Sequence, residues 1–283
     1  MMNQRQYNGI FMFSVDVEDF PVIKDGKSCY AGRVTELTDQ YIEFLRKRKM
    51  RATFFILGEV AERNPELVRK LVDQGHEIGC HGYAHVTLDK QNPGGFEADL
   101  TRALEVLHQA GATKVWGYRA PFLSITPKTV WAYDVLSKLG FRYSSSVMPH
   151  YNPSFGWPDF GERPRKQGQI WELPVSLMPS LPLAIPVAGG VYFRMLPFRY
   201  ISRAFRLHLK QNKPVFGYFH PYDIDWESES KQCAWLQRNP LFNFFMFYNR
   251  KAMLSRLERV MQQGFEILPY SEFLAKHAAG VAL

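Results

Sequence analysis

Two histidines four residues apart, His81 and His85 in GCHGYAHVTL, have a spacing that can chelate a metal ion if the segment turns helically or coils around it. Three kinds of chemistry compete for this stretch: a metal site, a nucleophile pair of Cys80 with a histidine, and ordinary loop histidines. Upstream, SVDVED (14–19) ends an apolar run with Asp16, Glu18 and Asp19. In an extended chain Asp16 and Glu18 share a face. Two carboxylates facing one pocket repel unless a cation or an arginine lies between them. One carboxylate added to the two histidines makes a His-His-acid facial set with positions left open for water and substrate. Arg119 in GYRAPF also follows an apolar stretch, and a buried arginine needs a carboxylate partner, for which Asp16 is the natural candidate. His220 in GYFHPYDID, fixed by the following Pro221, suits a general acid. Glu172 in WELP is a candidate for a pocket hydrogen bond or an alternative ligand. Cys80 is expected to pack, because on a strand it points away from its neighbour His81, and a buried thiol is inert.

These residues share an address in the chain. GIFMFSVDV (9–17), ATFFIL (52–57), HEIGCH (76–81), KVWGYR (114–119), FRYSSS (141–146), QIWELPVS (169–176), PVFGYFH (214–220) and FEILPY (265–270) read as strands. Between them, 35–50, 64–75, 96–110, 126–140, 197–211 and 249–263 read as helices, and SEFLAKHAA as a closing one. Asn64, Pro65 and Gly75 supply a cap, a first-turn proline and an exit for the second of these. Alternation of this kind predicts an α/β protein with a parallel sheet, and about seven such units favour a barrel. No GxGxxG or P-loop follows the first strand, which removes the best marker of a nucleotide-binding open sheet. The candidate residues fall at the C-terminal ends of the predicted strands, and in a parallel barrel those ends converge on one face.

Composition narrows the remaining classes. The chain has 283 residues and 46% hydrophobic content, ample for a packed core. The formal charge of +8 favours acidic partners, but the positive residues are scattered and the densest block, RKRK at 46–49, sits at a predicted helix end, where cations suit the dipole. Nucleic-acid binding has no supporting motif. Cys29, Cys80 and Cys233 are too few and too far apart for a disulfide framework. The first residues show no signal-peptide pattern, so a cytoplasmic location is expected. The uncharged stretch 173–193 contains Pro174, Pro179, Pro182 and Pro186, which argues against a membrane helix and for strand and loop lining a pocket. The aromatic run LFNFFMFY (241–248) could contact a membrane surface or a second copy in a homo-oligomer; packing under the C-terminal helix is the expectation.

SVDVED, ATFFILGEVAERNPELVRKLVDQGHEIGCHGYAH (52–85), YRAP (118–121) and FHP (219–221), in that order, resemble the NodB-homology polysaccharide deacetylases, carbohydrate esterase family 4. WELP, GGVYFRMLP and the segment from NPLFNFF onward resemble the subgroup tied to exopolysaccharide and surface-glycan loci. The resemblance implies a distorted (β/α) barrel over residues 1–283 as a single domain, with 226–283 as a subgroup-specific part completing it. It implies removal of acetyl groups from N-acetylated sugars, in a glycan or lipid- or nucleotide-linked, with one divalent metal ion, zinc before cobalt, nickel or iron. Residue by residue, Asp16 matches the base, Arg119 its orienting arginine, His220 the acid, and His81 and His85 the metal-binding histidines. The family's adjacent aspartates are absent, since Val17 stands at the second; the subgroup's Asp-x-Glu pattern makes Glu18 the third ligand, with Asp19 as the alternative. The family's DxxDW segment is not visible. Pro121, Phe122, Glu172, Tyr192 and Trp171 are the expected substrate contacts. An amidohydrolase of cyclic amides or peptidoglycan, and a catalytically silent glycan-binding protein, are the competing readings.

Overall fold

The period-two alternation of IFMFSVDVE builds the first stave of the barrel. In the computed structural model, which describes residues 9–19, 23–24, 27–28, 32–152, 154–178, 185–227 and 240–277, it forms two strands, Ile10–Met12 and Ser14–Val17. Phe13 interrupts them, its N–H turning back to the Phe11 carbonyl at 2.9 Å. The first strand lies parallel between Val215–Phe216 and Glu266–Ile267. The second lies parallel to Thr53–Ile56, and Val15 bridges to Phe219. Parallel pairing continues through Glu77–Cys80, Gly117–Tyr118, Tyr143–Ser144 and Ile170–Glu172, and antiparallel Arg165–Gln167 ends the ladder. The ring closes at Ser176: its N–H donates to the Phe216 carbonyl at 3.0 Å, and its hydroxyl accepts from the Phe216 N–H at 2.9 Å. This is the expected (β/α) barrel, distorted because a short contact replaces a full ladder at the closure.

One set of alternating residues packs outward. Phe11, Phe13, Val15, Val17, Phe54 and Ile56 meet the apolar faces of helices such as Val34–Arg46, Pro65–Asp73 and Pro93–Gln109. The last of these starts with Pro93 at its first position, and its Asn92 side chain accepts from the Gly95 N–H at 2.9 Å. The other set faces the lumen. Its lower half is apolar: Ile10, Met12, Phe55, Tyr143, Phe216 and Tyr270 form one cluster, each side chain contributing roughly 1.5–3 kcal/mol by burial. Gly79 and Gly117 make room for it, since a Cβ at either would overlap the rings of Phe55 and Tyr143. Tyr270, from the C-terminal segment, stacks on Tyr143 with centroids 5.7 Å apart. Above this floor the same register turns polar, through Ser14, Asp16 and Glu18.

Some elements depart from the sequence expectation. The 126–140 helix is only Ala132–Lys138, because Thr129 accepts from the Thr126 N–H at 2.9 Å and holds the preceding residues in turns. The 173–193 stretch contains a helix, Gly190–Met195, in addition to strand and loop; Pro179 and Pro182 lie outside the described residues. The run at 241–248 does not tuck under the C-terminal helix. It forms the helix Pro240–Phe247, packs on Gly190–Met195, and leaves Leu241, Phe244, Phe245 and Tyr248 exposed. No helix among the described residues is long and apolar enough to cross a membrane. Cys29 and Cys233 lie outside the described residues.

His76, at the entry to Glu77–Cys80, is buried; its Nδ1 accepts from the Ala52 N–H at 3.3 Å and its ring packs on Phe54. Burial, and then the nearby Arg51, push its pKa down to about 4. The unfolded chain therefore binds a proton that the folded chain refuses between about pH 6.5 and 4, and stability falls as the pH is lowered through that window. Denaturant titrations should show a loss approaching about 3 kcal/mol from this group, and His76→Gln should flatten that part of the profile.

Candidate active site

Arg119 follows the two-residue strand Gly117–Tyr118 and is fully buried. One terminal nitrogen donates to Asp16 Oδ1 at 2.7 Å and to Ser14 Oγ at 2.5 Å. Nε donates to the Ser145 carbonyl, and the other terminal nitrogen to Ser145 Oγ and Tyr270 Oη, all at 2.9 Å. The guanidinium also lies over the Phe55 ring, 4.2 Å from its centroid. Burial works against this charge, but the Asp16 carboxylate and the Tyr270 hydroxyl outweigh it and raise the arginine's pKa. Asp16, itself buried, is thereby fixed with one oxygen toward Arg119.

The neighbouring stave delivers the histidines. His81 continues Glu77–Cys80, and its N–H bonds the Ile56 carbonyl at 3.0 Å. Its Nδ1 lies 2.8 Å from the Arg119 carbonyl. That contact assigns the ring proton to Nδ1 and leaves Nε2 as an acceptor, the usual orientation of a metal-binding imidazole. The loop then turns through Gly82 (φ 81°) and His85 (φ 56°). Asp99 pins it, accepting from the Tyr83 N–H at 2.8 Å and the Ala84 N–H at 3.2 Å. Glu18 Oε2 lies 2.6 Å from His85 Nε2 and 3.5 Å from His81 Nε2.

One ligand-type atom from each of Glu18, His81 and His85 lies within 4.8 Å of the others. Glu18 Oε2 is buried without a hydrogen bond of ordinary geometry. Two imidazole nitrogens and a carboxylate oxygen gathered at these distances fit a divalent cation such as zinc. Burial would raise the Glu18 carboxyl, but His85, His81 and His220 more than reverse this and hold it well below the usual range. Asp19, the alternative ligand, is not part of the set. Alternation sends it the other way, with Oδ2 3.5 Å from the Arg63 guanidinium. Val17 likewise faces the outer core, so the position next to the base cannot reach the lumen.

His220 leaves Val215–Phe216 on the opposite side of the pocket. Its Nδ1 lies 3.1 Å from Asp223 Oδ2, which also accepts the His220 N–H at 2.9 Å. Its Nε2 lies 3.8 Å from Glu18 Oε1 and so points toward the metal-type set. The Tyr222 ring stacks on it, with centroids 4.6 Å apart, and the Tyr222 hydroxyl donates to Glu18 Oε1 at 3.1 Å. Burial disfavours the imidazolium, but Asp223, helped by Glu18 and Asp16, wins and lifts the pKa to about 9. Asp223 was not foreseen, although the spacing in HPYD holds the signal: a carboxylate three residues past the histidine returns to it across a single turn. Arg194, which donates to Asp223 Oδ1 at 2.9 Å, has no such local signal.

Residues 23–144 match the polysaccharide deacetylase family model, and residues 145–273 match a domain of unknown function. The chain thus carries a polysaccharide deacetylase domain over residues 23–144. A peptidoglycan-N-acetylglucosamine deacetylase of Bacillus cereus is 32% identical over 100 residues, and the match spans 35% of this chain and 36% of that protein. The chain therefore matches only about a third of the length of that curated relative. Among solved structures, a family 4 carbohydrate esterase from Streptomyces lividans, in complex with acetate, superimposes with a TM-score of 0.52 at 16% identity, covering 92% of each chain. A family pseudoenzyme from Bacillus anthracis gives 0.53 at 13% identity, covering 94% of this chain and 66% of that one. These likenesses show the fold.

Around the deacetylase-type centre, the expected substrate contacts divide. Phe122 is 60% exposed, adopts a left-handed φ of 55°, and lies beside His85 with ring centroids 5.2 Å apart. An exposed apolar ring held in a strained turn over a polar pocket is placed to meet a ligand. Pro121 is buried beneath it, and Tyr192 is half-buried on Gly190–Met195. Glu172 and Trp171 are corrections. Glu172 is fully buried on the outer face, accepting from the Ser146 and Val147 N–H groups at 2.7 and 3.0 Å and from the Tyr133 hydroxyl at 3.2 Å. Trp171, with the opposite parity, packs in the apolar floor. Cys80 packs as expected, and burial pushes its thiol up to about 12.

Calorimetric zinc titration should separate the two acidic candidates. Glu18→Gln should lose more than about a hundredfold in affinity, while Asp19→Asn should change it less than about threefold.

Proposed function

We propose that the chain is a metal-dependent hydrolase that removes the acetyl group from an N-acetylated sugar in an exopolysaccharide, a surface glycan or its lipid-linked precursor. The supporting observation is the convergence of Asp16 on Arg119, Glu18 with His81 and His85, and His220 on Asp223 around one pocket. An acetamide is a poor electrophile, and its nitrogen departs only when protonated, so the reaction needs a base, an acid and a partner for the carbonyl oxygen. Glu18, His81 and His85 would hold a divalent cation, which would supply that partner and lower the pKa of a water bound there. Asp16, oriented by Arg119, takes a proton from that water as its oxygen bonds to the acetyl carbon. His220 donates its Nε2 proton to the sugar nitrogen as the C–N bond breaks. Acetate and a free amino sugar leave, and the proton on Asp16 returns to His220 through solvent.

The turn at Pro121–Phe122 flanks the developing oxyanion and offers it a backbone N–H. The segments 23–144 and 145–273 act as one catalytic unit in this reading, and the chain from residue 226 onward completes the barrel through Glu266–Ile267 and Tyr270.

Acetate release from chitin oligosaccharides, peptidoglycan fragments and lipid-linked N-acetyl sugars, measured on zinc-loaded and chelated protein, tests the reading. Release that needs the metal and falls at least about a hundredfold in Asp16→Asn is expected. Cleavage of small cyclic amides alone would make the chain a different amidohydrolase, and glycan binding with neither acetate nor zinc uptake would make it a silent binding protein. Asp223→Asn should move the alkaline limb of the pH–rate profile to lower pH, because Asp223 is the main group favouring the imidazolium of His220.

A further inference from the structure

The contacts of His220 continue out of the pocket. Asp223 and Arg194 are both fully buried, and Asp223 joins them, with Oδ2 toward the imidazole and Oδ1 toward Arg194 Nε. Arg194 then donates from a terminal nitrogen to the Tyr248 carbonyl at 2.8 Å and the Phe245 carbonyl at 3.3 Å. These groups belong to the end of the helix Pro240–Phe247, where carbonyls lack partners within the helix and partial negative charge favours a cation. The same segment holds Arg194 from behind. Asn249, with a left-handed φ of 59°, donates its side-chain N–H to the Arg194 carbonyl at 3.0 Å, and Arg256 donates to that carbonyl at 3.1 Å. Gly190 completes the cradle, since a Cβ there would overlap the Asp223 carboxylate.

We propose that Arg194 is a positioning residue for the acid. By fixing Asp223, it sets the rotation of the imidazole so that Nδ1–H faces Asp223 and Nε2–H faces the leaving nitrogen. The end of the 240–247 helix in turn sets where Arg194 stands. The planar guanidinium bonds a carboxylate in one direction and two carbonyls in another, which a single ammonium cannot reproduce. Part of the 145–273 segment, with no activity of its own assigned, thereby acquires a role: it builds the mounting of the acid. The inference rests on the deacetylase reading.

Two substrates and a mutant cycle test it on the zinc-loaded full chain. An acetamido sugar needs a protonated leaving group, whereas para-nitrophenyl acetate does not. Arg194→Met should lower kcat on the acetamide by about tenfold to a hundredfold, with less than about a threefold change on the ester and unchanged zinc content. In a His220→Asn background the same substitution should cost less than about threefold, because its route to the chemistry is already gone. Should Arg194→Met fail to fold, Arg194→Lys is read on the same two substrates and should again fall selectively on the acetamide. Equal loss on both substrates, no loss on the acetamide, or full additivity with His220→Asn overturns the proposal. A wild-type protein inactive on both substrates instead brings down the hydrolase reading beneath it.

Discussion

The buried guanidinium of Arg119 is the constraint on which the rest of the pocket depends. Taking a cation into the middle of a barrel costs several kcal/mol unless its donors are met and its charge is balanced. Here Asp16 and Ser14 come from the first stave, Ser145 from the end of the Tyr143–Ser144 stave, and Tyr270 from the C-terminal segment. The same residue's carbonyl fixes the imidazole of His81. One side chain therefore aims the base while its backbone aims a metal-type ligand. Ser14 carries the connection further, since its hydroxyl donates to the Gly217 carbonyl at 2.7 Å on the stave that ends in His220.

Much of this was legible in the sequence, for definable reasons. Period two in SVDVED places Asp16 and Glu18 in the lumen and Val17 outside it, and the structure keeps that register. The pairing of Arg119 with Asp16 follows from the need of a buried cation for a counter-charge. What failed to read out depends on parity or on distance. Trp171 and Glu172 sit on a stave near the pocket, but one faces the apolar floor and the other faces the Ser146–Val147 backbone. Arg194 lies 29 residues from Asp223, and Asp99 lies 16 residues from the Tyr83 N–H that it holds, so only the folded chain shows either pairing. The exposure of the 241–248 run was likewise invisible, because an apolar helix reads the same whether or not a neighbour covers it.

The division of the chain into two family segments does not divide the pocket. His81, His85 and Arg119 lie in the first matched segment, and Ser145, Arg194, His220, Asp223 and Tyr270 in the second. Asp16 and Glu18 precede both. The metal-type set and the base therefore come from one side of the boundary, and the acid with its supports from the other. Tyr222 reaches across from the second segment to Glu18, and Tyr270 reaches under Arg119.

The long span of these contacts bears on how the protein comes into being. Ser14 waits for Gly217, 203 residues later, and the Thr53 hydroxyl waits for the Tyr270 N–H across 217 residues. Such wide separations make closure of the ring slow compared with helix formation. Until Gly217 and Tyr270 have been made, the chain lacks the floor that seats the arginine and the residue that would protonate a leaving group. Competence for chemistry should thus appear late and all at once.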